Sequence, residues 1–322
     1  MMVWRQLGVI SLTWGLLGQA IAGASCPAPP VQATPAQTQA WSQQAPDRGL
    51  LFRISRDGRE AYVFGSLHIG RPEWAYPGPK LRAALERVDL LALELDLSDA
   101  ATLQVLSRPP AHAPRLKLSP ALRKRLDAQA RAACLPPEAL AGQHPLMELS
   151  TYTVLAARWD GLDPSFGQEV LLSAWARQHG LPIIGLEDAA GQQQALIPSE
   201  AKPALQSLDK GLAQLEQGRV RPIMKRLAQA WEQGDLATMQ DYARWCDCVE
   251  DTQDRADFIR LNDARNPGLA DAIAARHAQG QSVLAAVGAL HLSGPQSLLK
   301  QLSQRGFVVE QLHPAPKRPA LR

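Results

Sequence analysis

Val63-Phe64-Gly65-Ser66-Leu67-His68 returns near the far end of the chain as Ala286-Val287-Gly288-Ala289-Leu290-His291. Each copy is an apolar run that stops at Gly-x-x-His, and a proline follows a few residues on, Pro72 in one case and Pro295 in the other. An apolar run of this kind reads as a buried strand. A strand that ends in glycine and then histidine sets an imidazole at the edge of its sheet, where a ligand can approach. Two such imidazoles from opposite ends of one chain point to a single site between two similar halves.

The flanks of both copies agree with that reading. Residues 50–54 and 61–64 bracket Arg56-Asp57-Gly58-Arg59, and Asp-Gly between two apolar runs signals a β-hairpin. A helix over 80–87 follows, with Leu81, Ala84, Leu85 and Val88 at helical spacing, and then a strand over 90–96 that contains Glu94. The second copy repeats the order: a strand over 282–287, a helix over 296–304 and a strand over 306–310. Between them the pattern is helical over 120–133, 146–159 and 168–179, then a strand over 181–187 that ends in Glu187, then successive helices over 199–279. The fold class expected is α/β. It has a mixed, largely parallel central sheet from two pseudo-symmetric strand-helix-strand units, with a large helical insertion over 119–279.

The termini read differently. Residues 1–25 resemble an export signal: Arg5, an apolar stretch over 7–21, then Ala20, Ala22, Gly23 and Ala24. Residues 26–48 are rich in Pro, Ala, Gln and Thr and read as a flexible linker. The domain itself is expected over 49–312, and 313–322 as a disordered basic tail. The expected location is the periplasm or another extracytoplasmic compartment. Cys26 directly after Gly-Ala-Ser would give a membrane tether if it were lipidated. Otherwise Cys26, Cys134, Cys246 and Cys248 form an even set, and Cys134 with Cys246 or Cys248 is the preferred bridge in an oxidising compartment. Cys246-Asp247-Cys248 lacks the second Cys or His pair that a zinc site needs. With 34 basic and 31 acidic residues the formal charge is only +3, so the chain carries no footprint for nucleic acid.

His68 and His291 lead the candidates for chemistry, since imidazole both ligates metals and exchanges protons near neutral pH. Glu94 and Glu187 each follow an apolar run, where an ionised carboxylate must be paired or metal-bound to offset desolvation. Strand ends bearing His and Glu would converge at the carboxyl edge of the sheet, where open α/β folds bind ligands. Such an N/O set suits a divalent zinc, manganese or cobalt ion, whose bound water loses a proton to a spare carboxylate. Arg265-Asn266-Pro267 reads as a helix start, with Asn266 as cap, and Arg265 could reach a carboxylate or an oxyanion. His112, His144, His179, His277 and His313 show no partner pattern and read as surface residues.

The paired Gly-x-x-His phrases, Glu94 and the run from Ala286 to Gly294 resemble the TraB/GumN family, which includes the TIKI-type metal-dependent proteases that act on Wnt ligands. The resemblance spans about residues 50–312. It is supported by Gly167-Gln168-Glu169, by Gly185-Leu186-Glu187-Asp188 with Gln192, and by Arg265-Asn266. Asp188 and Ser66 stand where the family commonly has Thr. The resemblance implies a metal-dependent hydrolase, most simply a peptidase. His68, His291 and Glu187 would hold the ion, and Glu94, Glu169, Arg265 and Asn266 would form the catalytic set. Gln192 and Ser66 would bind a peptide or small-molecule substrate. A distant similarity to erythromycin esterases and haem-binding ChaN-like proteins implies two alternatives: a metal-free esterase using His68 and Glu94, or a binding protein for peptide or haem.

Overall fold

A computed structural model describes residues 26–30, 33–108 and 110–314. Its six strands are β1 (Leu50–Arg56), β2 (Arg59–Ser66), β3 (Leu90–Leu93), β4 (Ile183–Gly185), β5 (Val283–Gly288) and β6 (Val308–His313). They form one sheet in the order β4-β3-β5-β2-β1-β6. The hairpin closes at Arg56↔Arg59, with Asp57 and Gly58 at φ 53° and 74°. Two successive left-handed residues are what a two-residue hairpin loop requires, and Asp-Gly adopts them at low cost.

Strand β1 is antiparallel to both neighbours, whereas β2, β5, β3 and β4 pair in parallel. Strand β5 takes the middle because it is apolar on both faces, and Val283 through Val287 are completely buried. The two strand-helix-strand units are therefore present but interleaved. β5 inserts between β2 and β3, which the sequence places as consecutive, and pairs with both. The two repeated phrases lie side by side, with Ser66 opposite Gly288.

The helix Gln168–His179 packs on β3 and ends at Gly180, φ 67°. The helix Asn266–Ala278 packs on β5. The helical region has a core of its own around Leu126, Tyr152, Leu208 and Leu212. Among the described residues no helix is long and apolar enough to cross a membrane.

Several expectations change. The segment read as a linker contains a helix, Pro35–Gln44, begun by a reciprocal Thr34–Gln37 capping box. The disulfides are Cys26–Cys134 and Cys246–Cys248, not a bridge from Cys134 to the Cys246–Cys248 region. His144 and His277 are buried: His144 caps the helix Pro145–Ala156, and His277 Nε2 lies 2.9 Å from the Arg56 carbonyl. Asn266 is the first helical residue rather than its cap. The expected tail begins inside β6 at His313. The expected signal segment 1–25 and residues 315–322 lie outside the described residues.

Candidate active site

Four adjacent parallel strands deliver four side chains to one edge. The β3–β4 pairing continues past both strands, with Leu186 N–H donating to Leu93 O at 2.7 Å and Glu187 N–H to Glu94 O at 3.0 Å. Glu187 and Glu94 are thereby neighbours. On the other side of Glu94, the Gly288 N–H at the end of β5 donates to Glu94 Oε1 at 2.7 Å. His291 and His68 follow β5 and β2 directly, so the order along the edge is Glu187, Glu94, His291, His68.

Arg265 clamps the two carboxylates. Its Nε donates to Glu187 Oε1 at 2.9 Å, its Nη2 bonds both Glu94 and Glu187, and its Nη1 donates to the Leu261 carbonyl at 3.1 Å. Gln192 adds a donor to Glu94 at 3.2 Å. Burial works to raise the Glu94 pKa, but His291, Arg265, His68 and the Gly288 N–H outweigh it and hold the carboxyl at about 2. Burial likewise works against charge on Arg265, and the two glutamates reverse it, so the guanidinium stays charged. Both oxygens of Glu187 are occupied by Arg265, and Glu94 divides its own among Gly288, Gln192, and Arg265.

His68 is positioned by a backbone contact that only glycine allows. A Cβ on Gly167 would lie 2.9 Å from the His68 carbonyl oxygen, and Gln168 N–H donates to Leu67 O at 2.8 Å. This close approach starts the helix Gln168–His179 against the Gly-x-x-His segment and brings Glu169 to His68, with Oε1 3.2 Å from Nδ1. Ser66 also donates to Glu169 Oε1, at 2.5 Å. Ser66, expected to bind substrate, is buried at the cleft lining and gives its hydroxyl proton to Glu169. The imidazole stays 66% exposed to the cleft, and the charge on Glu169 raises its pKa to about 9.

His291 is treated in the opposite way. Its Nδ1 lies 2.7 Å from Asn266 Oδ1, while Asn266 Nδ2 donates to the Gln296 carbonyl at 2.8 Å. That amide orientation puts the histidine proton on Nδ1 and leaves Nε2 as a lone pair, 3.8 Å from Glu94 Oε1. Burial lowers the His291 pKa to about 4 despite Glu94. Asn266 is completely buried, and its side-chain oxygen orients the His291 ring.

A cleft of about 420 Å³ opens over this edge, lined by His68, Glu94, Arg265 and His291 at one end. Its other walls carry Tyr242, Phe258 and Leu261 with Lys210, Asp254 and Asp257. Asn262, also on the lining, sits on the π-helical turn Ile259–Asp263 and was not singled out by the sequence. Polarity of the segment before Arg265 was the only signal there. Asp188 caps the helix Ala189–Leu196 through Gly191 N–H at 2.7 Å, and so adds no charge to the cleft lining.

A catalytic metal takes about three protein ligands. Here two imidazole nitrogens remain for an ion, while Arg265 holds both oxygens of Glu187 and Oε2 of Glu94, and Glu94 Oε1 accepts the Gly288 N–H. Among the described residues no three His, Cys, Asp or Glu side chains are placed to hold one ion. In this arrangement the donors do not fit a three-ligand centre.

The sequence model of the TraB/PrgY/gumN family matches residues 50–311, from the start of β1 into β6. No curated protein and no solved structure matches the chain.

Proposed function

The chain belongs to the TraB/PrgY/gumN family, and from that premise we propose that it is a hydrolase cleaving an acyl bond, most simply in a peptide, with its two motif histidines as an acid–base pair. The supporting observation is that both rings are anchored through Nδ1 at one cleft, one beside a carboxylate and one beside an amide. Environments that push two titratable groups apart assign the acid and the base. His68, charged through Glu169, donates a proton to the leaving group. His291, neutral, accepts a proton from the attacking water at Nε2. Arg265 has committed all but one of its N–H groups, and the remaining Nη1 hydrogen serves the developing oxyanion. Glu94 holds Gly288 and Arg265 in place and is too acidic to act as the base.

The test is turnover of a mixed peptide library and of chromogenic acyl esters, with and without a chelator. Replacing either histidine by alanine should lower the rate by about 10²–10⁴. Undiminished turnover by the double histidine variant would overturn the assignment. The metal-dependent reading has one observation in its favour, since Nδ1 anchoring is also how proteins orient histidine ligands. It needs a third donor, for which Glu94 Oε1, bonded to the Gly288 N–H and 3.8 Å from His291 Nε2, is the candidate. Stoichiometric manganese, cobalt or zinc in wild type, lost in His291→Ala, would favour it.

An extracytoplasmic location is supported by the signal-like sequence over 1–25 and by the two disulfides. The Cys26–Cys134 bridge supports the reading in which Cys26 is paired and not lipidated.

A further inference from the structure

The Cys246–Cys248 bridge adds little to the fold through chain entropy, because that effect grows with the loop closed and this loop encloses one residue. The enclosed residue, Asp247, has φ 48°, a left-handed conformation that is uncommon outside glycine. The two sulfurs also differ in setting. Cys248 lines the cleft that holds His68 and His291, whereas Cys246 is completely buried. The Cys248 backbone N–H donates to Cys246 Sγ at 3.2 Å.

A second cavity, of about 220 Å³, counts Cys246, Arg219 and Arg226 among its lining residues. Arg219 pairs with Glu250 at 3.0 Å, Arg226 lies 4.3 Å over the Trp245 ring, and Asp247 is the carboxylate on that lining. The Cys248 N–H donor stabilises a thiolate at Cys246, and a stabilised thiolate leaves faster in disulfide exchange.

We propose that Cys246–Cys248 is an exchangeable disulfide through which low-molecular-weight thiols modify the cleft wall. A thiolate enters from the cleft and attacks Cys248 Sγ. Its bond to Cys248 forms as the Sγ–Sγ bond breaks, and Cys246 leaves with the electron pair as a thiolate. Attack by Cys246 on the same sulfur restores the bridge and expels the thiol, so the cycle involves no net oxidation. While it lasts, the adduct stands beside Tyr242, whose hydroxyl is 3.8 Å from Cys248 Sγ, and narrows the cleft. This depends on the cleft's geometry and not on the hydrolase assignment.

The test treats the full chain with graded reduced glutathione, quenches with acid and alkylator, and maps all four cysteines by mass spectrometry. The Cys246–Cys248 bridge should open while Cys26–Cys134 stays closed. With oxidised glutathione, Cys246→Ser should carry the adduct on Cys248, and Cys248→Ser should label its buried Cys246 about tenfold more slowly or less. Opening of Cys26–Cys134 first, or equal labelling of the two variants, would overturn the proposal. Should a serine variant not fold, the order of opening in wild type decides alone.

Discussion

Replacing Arg265 should cost more stability than replacing either carboxylate it clamps. Arg265, Glu94 and Glu187 are all largely buried, with side-chain exposures of 13%, 9% and 16%. Arg265→Met keeps the stem but leaves two carboxylates uncompensated, and breaking a buried pair in this way costs about 3–5 kcal/mol. A urea midpoint equal to wild type would show that solvent reaches the pair. Adding Glu94→Gln and Glu187→Gln to the methionine variant should restore much of the loss. The two histidines make a separate prediction. Activity that needs His291 neutral falls as pH drops through about 4, and activity that needs His68 charged falls as pH rises through about 9. The profile of kcat/KM should therefore be a bell between those limits. Glu169→Gln removes the charge that raises His68, so the alkaline limb should move toward the ordinary histidine range while the acid limb stays. An alkaline limb that does not move in this variant would remove Glu169 and His68 from the chemistry.

At the level of elements, the approach of the Gln168–His179 helix to the end of β2 sets the Glu169–His68 contact. Gly167→Ala would push a methyl group against the His68 carbonyl and shift the helix start. Displacements near 1 Å in an active site cost about 10²-fold in rate, whereas a tight fit of this kind costs about 1–3 kcal/mol in stability. A variant that keeps wild-type kcat would mean that Glu169 follows His68 without loss. This contact also marks where sequence reading stopped. The hairpin was legible because Asp57-Gly58 dictates its loop, and β5 because a long apolar run needs cover on both faces. Placing β5 between β2 and β3 was not legible, since strand pairing across most of the chain leaves no local signal. His277 was misread for the same reason: its partner, the Arg56 carbonyl, lies far away in sequence. Gly167-Gln168-Glu169 stood out through family resemblance alone, because an acid in a helix's first turn is ordinary.

Across the whole molecule, the site is made from both ends of the domain, so its integrity depends on long-range closure. The strands after Arg59 and Val283 must pair before Ser66 meets Gly288 and the two histidines share one cleft. The Cys26–Cys134 bridge, with a separation of 108 residues, ties the segment before β1 to the helical region and constrains that assembly from outside. An even set of four cysteines admits three pairings, and nothing local separates them, so only the folded arrangement decides. In the chain-entropy account a loop of this size is worth about 4–5 kcal/mol, and native bridges lost from domains commonly cost about 2–5 kcal/mol. Neither Cys26 nor Cys134 lines the cleft that holds His68 and His291. Cys134→Ser should therefore lower the urea midpoint by an amount in that range while leaving kcat at low denaturant near wild type. A midpoint that does not move would mean the N-terminal segment is held by packing alone. A lost kcat with an unchanged midpoint would instead connect the helical region to the chemistry in a way the cleft's lining does not account for.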